Sequence, residues 1–329
     1  MTIDSPPRRR LLGAAGLAAL APALAPTAAR AQAFPSRPLR LFVGYSAGGG
    51  VDAVARLVAT GLSAAWGQQV VVENRAGASG LIAAEAVSKA APDGHTLIVG
   101  ETGLLIASLL RGGRALDPLK ALAPVAGLCV SPLLIIANNG VPMRSPAELV
   151  QQLKANPGRY SYATSGIGTV QHLGFEMLKA RTGAFVVHIP YRGAAQIVPD
   201  VIGGQVPLGV VSATAGLAQA RAGKLRALAL MSPVKLPGAD EVQPLASALP
   251  GFDVAPRLAL MAPAGTPQPL IDAVAEATRK VLAAPETVQA LLQQGVIAAF
   301  MPPAELGRDL QRELADWDRV IKDRKIVAE

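Results

Sequence analysis

The sequence predicts an α/β protein built as two lobes with a ligand cleft between them. Three observations carry that expectation. Strands alternate with helices, the alternation occurs once before about residue 100 and again from about residue 133, and in each half one strand enters a helix through a loop rich in glycine and hydroxyl residues. Alternation of this kind sets strands in parallel with helices on both faces. Two such units, each too small for 329 residues, imply two bodies and a cleft.

The elements follow in order. Residues 39–43 form an apolar strand, and Gly48, Gly49 and Gly50 make the loop behind it. Val54, Leu57, Val58 and Leu62 recur at helical spacing over 52–65, with Gly67 as the stop. Residues 69–73 are a second strand, 79–90 an alanine-rich helix and 96–99 a third strand after the Pro92-Asp93-Gly94 turn. The second half repeats the pattern with a strand at 133–136 and a helix opened at Ser145-Pro146-Ala147-Glu148, a capping box with proline in the first turn. A strand at 160–163, a helix at 170–181 and strands at 185–189 and 225–231 follow. The end of the chain turns helical at 269–282, 285–294 and 303–320, where Leu306, Leu310, Leu314, Trp317 and Ile321 form one core-packing stripe.

Composition narrows the function classes. With 51% hydrophobic residues the chain carries enough apolar surface to offset the entropy of ordering. Cys129 is the only cysteine, so no disulfide framework exists, and three histidines leave few ligands for zinc. Aromatics are 4%, too few for a base-stacking platform. The formal charge of +8 includes the basic start of the chain and is otherwise dispersed among acids, so no nucleic-acid face is expected.

The chain opens like an export signal. Arg8-Arg9-Arg10 precede an apolar stretch, and Ala29-Arg30-Ala31 is a small-x-small cleavage site, giving an expected periplasmic chain after cleavage at Ala31. Pro22 and Pro26 interrupt the apolar stretch, which is shorter than the roughly 20 residues of a spanning helix. Paired arginines suit the twin-arginine route, and ordinary secretory signals also carry basic residues there, so both routes stand.

Enzyme motifs are sparse. No G-x-S-x-G elbow, phosphate-binding Walker loop or H-E-x-x-H occurs. His95 reads as a surface turn residue and His188 as a satisfied sheet histidine; Ser165 with His172 is a poor nucleophile–base pair because nothing in their spacing selects them. One motif competes: Gly48 to Ala53 fits G-x-G-x-x-A, and Glu73 ends the next strand, as in a dinucleotide fingerprint. An exported NAD(P)-dependent oxidoreductase is therefore the alternative. Asp52 weighs against it, since a carboxylate in the first helical turn repels a pyrophosphate and suits helix capping better.

Two loops suit a small anion without a fixed cation. Tyr45, Ser46, Ala47, Gly48 and Gly49 bring backbone amides to a helix start. Thr164, Ser165, Gly166, Gly168 and Thr169 add three hydroxyls and further amides, again between strand and helix. In open α/β sheets ligands sit at the carboxyl ends of strands, where both loops belong.

These segments, with the blocks at 34–40, 70–78, 90–97, 155–158, 165–173, 188–193, 222–229, 262–267 and 317–323, resemble the Bug/TctC family, the extracytoplasmic solute receptors of tripartite tricarboxylate transporters. The resemblance covers essentially the whole chain after the signal. It implies a type II periplasmic-binding-protein fold closing on a carboxylated solute, with delivery to integral-membrane permease subunits and no catalysis by the receptor. It places the first jaw at Tyr45 to Gly49, with Asp52 ordering the helix start, and the second at Thr164 to Thr169, with His172 one turn into its helix. Lobe connections are implied near 125–132 and 253–258. The lobes are then 32–125 with 255–329, and 126–254. No cofactor or metal is expected, and the chain is expected to act as a monomer. Glu101 and Thr102 after the third strand, and Ser212 after 205–211, complete the candidate site. Glu101 stands where small hydroxyl residues are usual in the family; it either receives an ammonium or hydroxyl of the ligand or points to solvent. Gly44 and Ala47 stand where prolines are frequent, which implies a looser first loop.

Overall fold

The computed structural model describes residues 1–2, 34–112, 116–191, 196–233 and 236–327. The export signal expected at 1–31, and Arg192 and Gly193 among the family blocks, lie outside the described residues. From Phe34 onward the chain forms one compact unit.

Two sheets organise that unit. The first begins with β1 (Leu39–Val43), α1 (Gly50–Trp66), β2 (Val70–Asn74), α2 (Leu81–Ser88), β3 (Thr96–Glu101), α3 (Thr102–Leu110), α4 (Pro118–Ala121) and β4 (Leu122–Val130). The second is built by β5 (Leu133–Ala137), α5 (Pro146–Ala155), β6 (Ser161–Thr164), α6 (Val170–Thr182), β7 (Val187–Pro190), α7 (Ile197–Ile202), β8 (Leu208–Ser212), α8 (Ala213–Arg221) and β9 (Arg226–Leu230). The chain then returns with β10 (Arg257–Pro263), α9 (Gln268–Ala283), α10 (Pro285–Gln293), β11 (Ile297–Met301) and α11 (Pro303–Asp323).

Strand order is β11-β4-β10-β3-β1-β2 in the first sheet and β7-β6-β8-β5-β9 in the second. Two α/β lobes are therefore present, but neither sheet is wholly parallel. β10 runs antiparallel between β3 and β4, and β5 runs antiparallel to β8 and β9. Local alternation gives no information about a strand that returns more than 120 residues later, and β4, β8, β10 and β11 were all unassigned from sequence. The helix expected at 79–90 starts only at Leu81, because a 3-10 turn with Ser79 at φ 52° precedes it.

The chain changes sheet at Ser131–Pro132 and again between β9 and β10. The boundary expected between Val125 and Ala126 falls inside β4, whose pairing with β10 holds residues up to Val130 in the first sheet. The Ser131 N–H donates to the Pro256 carbonyl at 2.8 Å, so the two crossings are fastened to each other.

α3 and α11 serve both cores. Leu104 and Leu105 of α3 pack beside the first sheet, whereas Ile106 joins the core of the second. Along α11, Leu306 and Leu310 belong with the first sheet, and Trp317 and Val320 with the second. The single stripe read from the sequence is thus divided between two cores.

Candidate functional site

Strands β3, β1 and β2 are parallel neighbours, so their carboxyl ends lie side by side. Each leads into a helix at that end of the sheet. After β1, Gly44 presses against Gly80, and a Cβ on Gly44 would lie 2.3 Å from the Gly80 Cα. After β2, Gly77, Ala78, Ser79 and Gly80 all have positive φ, at 136°, 51°, 52° and 93°. For Ala78 and Ser79 such backbone costs about 1–3 kcal/mol each and concentrates at functional sites. After β3, Glu101 and Thr102 lead directly into α3.

The first loop is tied down, against the expectation of looseness. Asp52 is buried, and its carboxylate accepts from the Gly48 N–H at 2.8 Å, Arg56 Nε at 2.9 Å and Asn74 Nδ2 at 2.9 Å. Asn74 also donates to the Tyr45 carbonyl at 3.1 Å. With the Arg56 guanidinium beside it first among the causes, the Asp52 carboxyl is held down at about 2. The N-cap of α1 is Gly49, so Asp52 braces the loop from the third helical position and is not the cap expected from sequence. Ser46, Ala47, Gly48 and Gly49 remain exposed.

Tyr45 and Glu101 come together across the first sheet. The Tyr45 hydroxyl donates to the Ser79 carbonyl at 3.4 Å and lies beside the Glu101 carboxyl, both groups facing Gly103. Burial pushes the Glu101 carboxyl up, and pushes the Tyr45 phenol up with the neighbouring carboxyl adding to it. Thr102 faces elsewhere. Its hydroxyl donates to Glu313 Oε1 at 2.8 Å and accepts from the Arg257 N–H at 3.0 Å, so both its roles are taken by the interlobe framework.

In the second lobe, the loop between β6 and α6 is self-bonded. Thr164 Oγ1 is 2.7 Å from His188 Nε2, and Thr169 Oγ1 donates to the Gly166 carbonyl at 2.8 Å while accepting from the His172 N–H at 3.3 Å. Gly168 N–H donates to His172 Nδ1 at 3.2 Å, which makes that nitrogen an unprotonated acceptor. His172 stacks on His188 with ring centres 4.0 Å apart, and burial lowers the pKa of His172. His188, read from sequence as a satisfied sheet histidine, lies in β7 with Thr164 as its partner and so supports the loop. Ser165 is partly exposed with no side-chain hydrogen bond among the described residues, and Ser212 caps α8 by accepting from the Ala215 N–H at 3.4 Å. No hydrogen bond links the two loops among the described residues; Gly168 instead abuts Leu110 of α3. His95 departs from expectation, since it is buried with its ring 5.1 Å from Phe34.

Helix starts distinguish this sheet edge from the rest. α5, α6 and α8 are capped by Ser145, Thr169 and Ser212, and α9, α10 and α11 carry proline in the first turn. Among the described helices of eight residues or more, only α1, α2 and α3 begin with neither device. The leading N–H groups of α1 and α3 are left for a partner outside the helix, whereas the Leu81 N–H at the start of α2 donates to the Ala78 carbonyl. The bracing role of Asp52 had weak sequence signals, through Arg56 at the i+4 position and Asn74 at the end of β2. The positive-φ run at 77–80 had only its two glycines.

The chain matches the family profile described as tripartite tricarboxylate transporter family receptor over residues 54–326. It belongs to that receptor family. The receptor is 34% identical over 323 residues to the UPF0065 protein in the tcbD-tcbE intergenic region of Pseudomonas sp., covering 98% of this chain and 96% of that one. It is 33% identical to protein BugT of Bordetella pertussis, covering 89% and 91%. Among solved structures it is similar to a TctC solute binding protein from Polaromonas (TM-score 0.80, 27% identity, 88% of this chain and 99% of that one). It is likewise similar to the periplasmic binding protein BugD (0.70, 30%, 90% and 100%) and to R. palustris Rpa4515 with adipate (0.73, 30%, 89% and 99%). The receptor thus has the two-lobed α/β fold of periplasmic solute-binding proteins.

Proposed function

We propose that this receptor captures a small carboxylate between its lobes and presents it, as a monomer, to membrane permease subunits. The first lobe is taken as 34–130 with 257–327 and the second as 133–254. The observation that carries the reading is the gathering of three uncapped helix starts, α1, α2 and α3, at one sheet edge. All three present the positive end of a helix dipole, worth about 0.3–1 kcal/mol towards an anion and more when partly buried, and α1 and α3 add free N–H groups. Adipate bound to the R. palustris relative supports the chemical class. From the second lobe, Ser165 supplies a hydroxyl with no hydrogen bond among the described residues. Thr164, Thr169 and His172 hold its loop in shape, and Ser212 fixes the start of α8. Thr102 fixes the start of α3 from behind. The reading includes export by the Arg8-Arg9-Arg10 signal, through the twin-arginine route, with cleavage after Ala31.

Two observations weigh against dinucleotide binding. The Gly48 N–H, which would face a pyrophosphate, is given to Asp52. Glu73, the acid expected on the ribose, is held by Arg40 through two bonds of 2.5 and 2.8 Å.

The test is Gly49→Asp. Gly49 has φ −80° and ψ 170°, which any residue adopts, so an aspartate there acts as the missing cap of α1. The unliganded protein is expected to gain about 0.5–1 kcal/mol, while carboxylate affinity falls at least about tenfold. Unchanged affinity across mono-, di- and tricarboxylates would remove α1 from the site.

A further inference from the structure

Glu101 is the N-cap residue of α3 by position, yet its side chain makes no cap bond to that helix. The carboxyl meets the Tyr45 hydroxyl instead, beside Ser79 and Gly103: a Cβ on Gly103 would lie 3.0 Å from Tyr45 Oη and 3.7 Å from Glu101 Oε2. A carboxyl is thus placed among three helix starts that lack a side-chain cap. It has no ion pair among the described residues. Arg257, one register position from the Glu101 partner Leu258, is directed at Asp253 and Asp309. The other titratable groups acting on Glu101 are Tyr45 and the buried Cys129, and neither is a cation. Glu101 is nonetheless only partly covered, so a ligand can reach it.

An anionic side chain without a counter-charge is costly in so sheltered a place. Burial favours the neutral carboxyl here; a solute hydroxyl would add a hydrogen bond without a counter-charge, whereas an ammonium group supplies both and holds the carboxyl ionised. The same edge offers uncapped N–H groups for an anion, so the two poles of the site match the two poles of one small molecule. We propose that Glu101 is the selectivity residue of this site: it receives the ammonium group of a solute whose carboxylate lies at the starts of α1, α2 and α3, so the solute is an amino acid and not a plain carboxylic acid. This inference rests on the carboxylate-receptor reading and names the substrate class within it.

Calorimetric titration of the purified chain at pH 7.5 with matched pairs tests it: L-aspartate against succinate, L-glutamate against glutarate, and β-alanine against propionate. In at least one pair the amino acid is expected to bind at least about tenfold more tightly, equal to about 1.4 kcal/mol. In Glu101→Gln that ratio is expected to fall below about threefold, with the plain acid holding or gaining affinity. Equal or tighter binding of the plain acid in every pair of the unaltered protein overturns the inference without recourse to a variant. A preference that survives in folded Glu101→Gln also overturns it. In both cases Gly49→Asp still weakens whichever acid binds, so the receptor reading stands. If no acid of either kind binds, both fall together.

Discussion

The Asp52 carboxylate accepts a hydrogen bond from the Gly48 N–H at 2.8 Å, closing the loop in front of α1 onto the helix that follows it. Asp52→Ala therefore releases that loop. Because the partner Arg56 is half exposed and screened by solvent, the expected loss is about 1–2 kcal/mol of stability, together with weaker solute binding. The folded carboxyl sits at about 2, below its ordinary value near 4. Its contribution is present above about pH 4 and disappears as pH falls through about 2. Thermal melts of both proteins between pH 7 and 2 should show a gap that closes at the acid end.

His172 can accept from the Gly168 N–H only while its Nδ1 is unprotonated. Burial lowers the pKa of His172, and burial with His172 nearby brings His188 down to about 4. For a histidine with a depressed folded value, stability is complete above about pH 6.5 and is lost as pH falls through the folded value. Solute affinity is expected to decline between pH 6.5 and 4 as the second-lobe loop loses its brace. His172→Phe preserves the ring stack but not the acceptor, so its affinity should be low and nearly flat over that range; a steep profile in this variant would separate the loop from His172.

Ser165 and Thr169 lie four residues apart in one loop but differ in what they bond. Thr169 caps α6, so Thr169→Ala should lower stability by about 1 kcal/mol. Ser165 has no side-chain hydrogen bond among the described residues, so Ser165→Ala should leave the melting point nearly unchanged while reducing solute affinity. Paired melting and titration experiments separate the two roles. A Ser165→Ala protein with full affinity would take that hydroxyl out of the site.

Glu176 is the junction of a buried network. Tyr162 Oη donates to its Oε1 at 2.8 Å, Lys179 donates to the same oxygen, and Arg324 Nε donates to Oε2 at 2.7 Å from beyond the end of α11. Removing the carboxylate leaves the buried Lys179 uncompensated, and Glu176→Ala should cost about 3–5 kcal/mol in urea unfolding. Adding Lys179→Met to it should recover part of that loss, a non-additivity expected of charges in contact.

Much of the fold was legible because its signals are local. The alternating strands and helices from β1 to β3, the Ser145 cap of α5 and the glycine stops after α1 and α6 each depend on residues within a few positions. The two strand–helix loops were legible for the same reason, since glycine and hydroxyl residues mark a turn and a helix start. The roles of individual side chains were not. Thr102 looked like a ligand donor, but its hydroxyl bonds to Glu313, 211 residues away. Thr164 and Thr169 looked like parts of a grip, and their hydroxyls hold their own loop together.

By itself the sequence determined the α/β grammar, the family and the position of both loops, because backbone preference and hydrophobic period act over short spans. Only the tertiary structure decided that β10 would enter antiparallel between β3 and β4, that Gly44 would meet Gly80, and that Glu101 would stand beside Tyr45 with no ion pair among the described residues. Each of those depends on segments far apart in the chain whose pairing is selected by packing of the whole sheet, which no local pattern encodes.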